Sequence, residues 1–389
     1  MINLLFIKFF NLIRFIIYRL IDFIISLYPR KESSEKLLII RLDSIGDYIL
    51  IRNFFTSIKE SKKYKNYKIT LCGNIVWKNL AETFDGDVIS DFIWIDRKKF
   101  NNNPVYKFRI LKQIYLAGFN TVIDTTYTRE ILFGDSIVRT SRAKYKIGST
   151  GSLDASVKWK RNLITNRNYT RLIDTTDENI FEFYRNKLFI EKVIEEQVLI
   201  NKPILVCDSI ELKLPTDKKY AVVFPGAQES SRIWSAVNFD IVIKQLITNN
   251  NLIVILAGSP SDKRFLKAMS FAQSSKHCFD MTGKTDLPRL AKLISQAELL
   301  ISNETGSIHF AAAVGTKFIC ISNGQRFGRF MPYPAEMNVN GIYVFPKEIE
   351  DRIKDTDYLK EKYRFNSSLD INSVPPEKVI NAMDNMSKS

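Results

Sequence analysis

Short β-rich runs alternate with stretches of helical period in two series, and a break carrying proline and charge separates the series near residue 200. These observations predict an α/β chain of two doubly wound domains, each built from βαβ units around a parallel sheet. Length agrees, because single cores usually stop growing near ~250–300 residues and this chain has 389. Hydrophobic residues make up 45% and charged residues 25%, a globular balance that excludes a disordered or fibrous chain. The mean hydropathy of −0.11 excludes a polytopic membrane protein.

Residues 1–28, MINLLFIKFFNLIRFIIYRLIDFIISLY, form the most apolar stretch. Lys8, Arg14, Arg19 and Asp22 interrupt it, so no run approaches the ~20 residues needed to span a bilayer. On a helical wheel Asn3, Lys8, Asn11, Arg14, Tyr18, Arg19, Asp22 and Ser26 collect within about 160°. Phe6, Phe9, Phe10, Leu12, Ile13, Ile16, Ile17, Leu20, Phe23, Ile24 and Leu27 fill the other side. A wide apolar face, basic residues opposite it, and Arg30 and Lys31 just beyond read residues 1–31 as an interfacial helix on an anionic membrane surface. The alternative is a helix packed on the protein's own core. A cleaved signal peptide fits poorly, since charges break the apolar run and no small-residue cleavage site follows.

The first series occupies residues 36–200. Its strand candidates are LLIIRL (37–42), KITLCG (68–73), DFIWID (91–96), NTVIDTT (120–126) and KYKIG (144–148). Residues 149–180 carry Gly, Ser, Thr, Asn and basic residues without periodicity and read as a long loop, leading into a helix from about Glu178 to Val193. Residues 201–218, with Pro203, Pro215 and Asp217, form the linker. The second series, 219–345, places strands at 220–227, 252–260, 277–283, 298–306 and 317–324. A charged segment, 346–389, closes on a helix that the prolines of PPEKVINAMDNM are placed to start.

Lys and Arg number 57 against 42 Asp and Glu, a net charge of +15 that favours anionic partners. The basic residues are spread without a recognised nucleic-acid motif, which weakens that class of partner. Cys72, Cys207, Cys278 and Cys320 lie far apart and His277 and His309 are the only histidines. Zinc spacing and a disulfide framework are both missing, which points to a reducing cytosol.

In open α/β sheets ligands bind beyond the carboxyl ends of strands, and three glycine-centred turns follow predicted strands. The first runs Arg41-Leu42-Asp43-Ser44-Ile45-Gly46-Asp47, where Asp47 is either a helix cap or a general base for an attacking hydroxyl. The second, Phe224 to Trp234, contains Gly226 and Gln228 and delivers Arg232, a guanidinium suited to phosphate. The third, Ser302 to His309, opens the helix IHFAAAVG with the free amides of Thr305, Gly306 and Ser307, an anion site at a helix start. Neither a P-loop nor GxGxxG is present. His309 shares a side with Phe310 and Ala313 and reads as a packing histidine.

Together these turns resemble glycosyltransferase family 9, whose best-known members are ADP-heptose:lipopolysaccharide heptosyltransferases. The resemblance spans roughly residues 36–325. It rests on LLIIRLDSIGDYIL, VVFPGAQESSRIW, LAGSPSD and, most specifically, MTGKTDLPRLAKLISQAELLISNETGSIHFAAAVGT. It implies a GT-B fold, two Rossmann-like domains facing a cleft, with acceptor bound mainly by the first and nucleotide sugar mainly by the second. It also implies inverting transfer with neither metal nor cofactor. Carried over by position, Asp47 matches the catalytic base and Arg232 a basic, usually lysine, phosphate contact. Thr305, Gly306 and Ser307 match the diphosphate-binding turn, with Gly226 and Gln228 on the same donor side. Glu304 stands where aspartate is usual, Asp262 lies near the ribose-contacting acid, and Thr282 and Gly283 belong to the segment bordering the base. Asn53 replaces the usual proline seven residues after Gly46. Arg41, Asp43, Ser44, Gly46 and Arg52 make an unusually charged turn on the acceptor side.

The activity so implied is transfer of heptose from ADP-heptose to a lipopolysaccharide-type or other lipid-linked glycan. The place implied is the cytoplasmic face of the inner membrane, with no nucleic-acid partner. Two alternatives remain open. One keeps the fold with another nucleotide sugar, as a transferase or a nonhydrolysing epimerase; the other is a non-catalytic membrane- or nucleic-acid-binding protein.

Overall fold

The computed structural model describes residues 2–31, 35–152, 158, 159, 161–175 and 180–388. The chain divides into two compact units: Met1–Ser44, Phe54–Glu178 and Arg185–Val198 in the first, and Ile45–Asn53, Asn179–Tyr184 and Leu199–Ser389 in the second.

The first unit holds β1 (Lys36–Arg41), β2 (Lys68–Asn74), β3 (Asp91–Ile95), β4 (Thr121–Asp124), β5 (Tyr145–Ser149) and β6 (Arg171–Ile173). They form one parallel sheet in the order β3-β2-β1-β4-β5-β6. A parallel sheet covered on both faces needs strands that are apolar on both sides, and Leu37 to Ile40 of β1 are fully buried accordingly. The chain steps outward from β1 to β3 and returns to β4 beside β1, so the strand order reverses between β1 and β4.

Helix α1 (Ile2–Ser26) docks on this unit through the narrow side of its wheel. Tyr18, Ile21, Asp22 and Ile25 are buried. The Asp22 carboxylate takes Arg139 Nη2 at 2.6 Å and Thr140 Oγ1 at 2.5 Å, and Tyr18 Oη donates to Asn101 O at 2.5 Å. Just past α1, Arg30 bonds Phe119 O at 2.9 Å and Arg142 O at 3.1 Å, so its charge serves the fold. Ile16, Ile17, Leu20, Phe23, Ile24 and Leu27, from the wide apolar side, stay 37–69% exposed. The side chains of residues 2–12 lie outside the described set. No described helix is long and apolar enough to cross a membrane.

The second unit holds β7 (Tyr220–Phe224), β8 (Ile253–Leu256), β9 (Cys278–Asp280), β10 (Leu299–Asn303), β11 (Phe318–Ile321) and β12 (Gly341–Val344). These too are parallel, in the order β12-β11-β10-β7-β8-β9. The reversal here falls between β7 and β10. Trp234 and Phe239 meet edge to face at 4.9 Å in the core, and the closing helix Pro376–Lys388 buries Val379, Ala382 and Met383 against the same cluster.

The ten strands expected from the sequence are present, and two more are added. β6 is a three-residue edge strand inside the stretch read as a loop, and β12 is an edge strand whose first three residues are only partly buried. The helix expected from about Glu178 begins at Glu182 and ends at Ile194. Parts of the expected 149–180 loop, residues 153–157, 160 and 176–179, lie outside the described residues.

Candidate functional site

The second unit brings a short helix of the amino-terminal sequence against the third glycine turn. Helix α2 (Ile45–Ile49) carries Asp47 in its first turn. It lies against the start of the helix Gly306–Val314, where a Cβ added to Gly306 would sit 3.6 Å from the Gly46 nitrogen and from the Ile45 side chain. Gly46 is needed for this approach, because a Cβ there would fall 2.5 Å from His309 Cδ2. His309 is buried, with Nδ1 2.7 Å from Tyr333 Oη, and burial pushes its pKa down to about 3. It is a neutral packing group at working pH. Asp47 itself is half-buried.

At the β7/β10 switch point, Asn303 ties the second turn to the third. Its Nδ2 donates to Pro225 O at 2.7 Å and its Oδ1 accepts the Trp234 N–H at 3.1 Å. Trp234 Nε1 donates in turn to Val374 O at 2.8 Å. This frame sets Arg232, whose Nη2 meets Glu229 Oε1 at 3.2 Å and whose Nη1 reaches Glu304 O at 3.4 Å. Arg232 Nε is buried without a hydrogen-bond partner among the described residues, a donor left open. An unsatisfied buried donor is costly, and an anion at this position would satisfy it.

Thr305 is the N-cap of the Gly306–Val314 helix and its side chain makes no cap bond to the first turn. The hydroxyls of Ser302, Thr305 and Ser307 instead bond one another, Ser302 to Ser307 at 2.7 Å and Thr305 to Ser307 at 2.8 Å. The Thr305 side chain therefore leaves the first-turn amides uncapped, the arrangement through which helix starts bind anions. Glu304 is buried and accepts a short bond from Ser322 Oγ. Burial raises its pKa, against the opposing pull of Ser322, Arg232 and Arg326.

The other predicted donor-side residues sit at the carboxyl ends of neighbouring strands. Asp262 is buried, and its Oδ2 accepts the Ser259 N–H at 2.8 Å and the Ser259 hydroxyl at 2.7 Å. It also lies where a Gly226 side chain would begin. Thr282 N donates to Asp280 Oδ1 at 2.8 Å and Gly283 N to Gly258 O at 2.8 Å. Gln228 is exposed. On the acceptor side, Arg41 is fully buried in the first unit, donating to Thr125 O at 2.8 Å and paired with Asp43 at 3.1 Å. Ser44 is exposed at the end of β1. In the second unit Arg52 Nη1 donates to Ile204 O at 2.8 Å, and Asn53 bonds the same residue through both backbone groups at 3.0 and 2.9 Å. Arg41 and Arg52 are thus engaged by main-chain oxygens of their own units.

Sequence reading missed Asn303, Ser322 and Arg326. Arg326 has electrostatic contact with Asp47, Glu229, Arg232 and Arg329. The signal available was a fourth glycine turn, Ser322-Asn323-Gly324, directly after the strand KFICI. Among the described residues no three His, Cys, Asp or Glu side chains converge as a metal site requires.

Two doubly wound parallel-sheet units in one chain give an α/β fold of the GT-B kind. Residues 196–357 match the model of Glycosyltransferase family 9 (heptosyltransferase). Lipopolysaccharide heptosyltransferase 3 of Escherichia coli is 21% identical over 285 residues, 71% of this chain and 80% of that one. Among solved structures, E. coli heptosyltransferase WaaC with ADP aligns at a TM-score of 0.68 and 15% identity, covering 90% of this chain and 99% of the other. A glycosyl transferase family 9 protein from Veillonella parvula aligns at 0.66 and 15% identity, covering 92% and 99%. Over these spans the chain is similar to heptosyltransferases of glycosyltransferase family 9, and the similarity supports a heptosyltransferase-like glycosyltransferase.

Proposed function

We propose that the protein is an inverting, metal-independent transferase that moves heptose from ADP-heptose to a lipopolysaccharide-type or other lipid-linked glycan. The observation that carries this reading is the convergence of Asp47, Arg232 and the Thr305–Ser307 helix start within one compact unit. Asp47 takes the proton of an acceptor hydroxyl, the oxygen attacks the anomeric carbon, and the bond to the diphosphate breaks on the opposite face. Charge growing on the leaving diphosphate meets the open Nε of Arg232 and the helix-start amides, which are already oriented and need little reorganisation. The similarity to a heptosyltransferase solved with ADP supports adenine as the base.

Purified protein incubated with ADP-heptose, UDP-N-acetylglucosamine and other nucleotide sugars, with and without glycolipid acceptor, tests the reading. ADP release that depends on the acceptor is the expected result. Release of UDP in preference to ADP would change the donor, and conversion of free nucleotide sugar without acceptor would make the protein an epimerase.

A lipid-linked acceptor places the enzyme on the cytoplasmic face of the inner membrane, and α1 supports that placement. The helix spends Tyr18, Asp22 and Ile25 on the body and turns Ile16, Leu20, Phe23 and Leu27 outward, a contiguous apolar surface of the kind that marks an interaction site. Exposed Arg19 and Lys31 add attraction to anionic headgroups. Wild-type protein should co-sediment with phosphatidylglycerol-containing vesicles, and Leu20→Asp with Phe23→Asp should weaken partitioning by about tenfold or more, since each side chain contributes roughly 1.5–3 kcal/mol when buried. Equal sedimentation of both proteins would remove α1 from this role, and a concentration-dependent dimer lost in the variant would assign the face to self-association.

A further inference from the structure

Arg326 lies outside every motif the sequence displays, yet the chain around it is built to hold it at the donor site. From the carboxyl end of β11 the backbone runs Ser322-Asn323-Gly324-Gln325-Arg326. Asn323 Nδ2 donates to Ser231 O at 3.1 Å, one residue before Arg232. Ser367 Oγ donates to Asn323 O at 2.6 Å, and the Arg326 N–H donates to Tyr363 O at 2.8 Å. Gly324 takes φ 80°, and a Cβ there would collide with Ile349 Cδ1. Arg326 itself takes φ 57°, the left-handed region that glycine or asparagine adopts at lower cost. Non-glycine residues held there by their surroundings concentrate at ligand sites.

The charges nearby leave this guanidinium without a partner of its own. Glu229 is paired with Arg232 at 3.2 Å and Glu182 with Arg329 at 2.9 Å, and Asp47 acts on Arg326 through space, with no ion pair between them among the described residues. Arg326 makes no side-chain hydrogen bond or ion pair among the described residues, though it interacts with Arg329, Asp47, Glu229 and Arg232 through space. Keeping an unpaired arginine beside two others opposes stability unless an anion joins them. A diphosphate is such an anion, and two guanidiniums can divide its oxygens between them by forked hydrogen bonds.

We propose that Arg326 is a second phosphate-binding guanidinium, contacting the donor diphosphate from the β11 side while Arg232 and the Thr305–Ser307 amides hold it from the β7 and β10 sides. This rests on the donor-site reading above. Its contact strengthens as the diphosphate leaves, so it contributes to turnover as well as to binding.

Calorimetric titration of the full chain with adenosine, AMP and ADP tests it. Arg326→Ala should weaken ADP binding by about tenfold or more, as expected for a lost charge-assisted bond, leave adenosine affinity unchanged, and regain part of the loss in Arg326→Lys. Wild-type affinity for ADP in Arg326→Ala would overturn the inference alone. Equal losses for adenosine and ADP would also overturn it, by making Arg326 a support for the loop. A wild-type protein that binds no nucleoside diphosphate would overturn the donor-site reading and this inference with it.

Discussion

Asp47→Ala is expected to lower kcat by on the order of 10²–10⁴, the range over which a positioned general base acts, while ADP affinity stays near that of the wild type. The separation follows from the local structure. Asp47 is half-buried in the first turn of a five-residue helix that packs through Gly46 against His309 and through the buried Tyr48 and Ile49. Removing the carboxylate takes away the proposed proton acceptor and leaves that apolar packing in place. In the proposed donor site the contacts come from Arg232, Arg326 and the 305–307 amides, none of which the substitution removes. Asp47→Asn keeps shape and hydrogen-bonding capacity but not basicity, so it should be as impaired as the alanine variant. Single-turnover assays on both variants, with ADP titrations alongside, make the comparison. Near-normal turnover in either variant would remove Asp47 from the base role, and a parallel loss of ADP affinity would move it to donor binding.

What the sequence disclosed and what it concealed both follow from how the residues are packed. Doubly covered parallel strands must be apolar on both faces, so LLII, VVF, IVIL and FICI announce themselves without an alternating pattern. β6 and β12 lie at sheet edges, where one neighbour is absent and only short or half-buried runs are required, and their sequences RLI and GIYV carry little signal. The turns were visible because glycine at a strand end is conspicuous.

The directions of side chains were not visible. Arg41 ends a strand buried on both faces, so its charge gave no indication that it would turn inward to Thr125 O. Arg52 bonds Ile204 O, a partner 152 residues away that no local pattern discloses. For α1 the wheel separated an apolar side from a polar one but could not say which side the body would take. Asp22 decided it, because a carboxylate with Arg139 and Thr140 waiting for it docks more readily than an apolar face lacking such partners. Arg326 went unread because a single arginine five residues past β11 has no periodicity to mark it beyond the glycine turn before it, and its significance lies in its electrostatic interaction with Glu229, Arg232 and Asp47.

Asp124→Asn should stabilise the protein at neutral pH and do nothing near pH 4. Asp124 closes β4 fully buried, with Oδ1 accepting the Thr126 N–H at 3.1 Å and Oδ2 3.0 Å from Tyr169 Oη. The same phenol oxygen lies 2.6 Å from Asp135 Oδ1. A phenol has one proton, and the shorter contact assigns it to Asp135, so the bond to Asp124 requires a proton from the Asp124 carboxyl. Its titration agrees: burial, and then the neighbouring Asp135 charge, raise the pKa from 3.8 to about 6, against the weaker pull of Thr126 and Arg129. Because the folded value exceeds the unfolded one, the native state binds more protons between pH ~4 and ~6, and stability falls as pH rises through that window. Above it the ionised carboxylate costs on the order of 2–3 kcal/mol. Asparagine reproduces the protonated acid, its carbonyl accepting from Thr126 and its amide donating to Tyr169, and has no charge to develop. The gain should be absent where Asp124 is protonated in both states, grow from about pH 4 and level off above about pH 6. Urea or thermal unfolding of the two proteins from pH 4 to 8 reads it directly. A difference that does not vary with pH would show that Asp124 keeps its charge in the folded state and that the proton between the two carboxylates lies elsewhere.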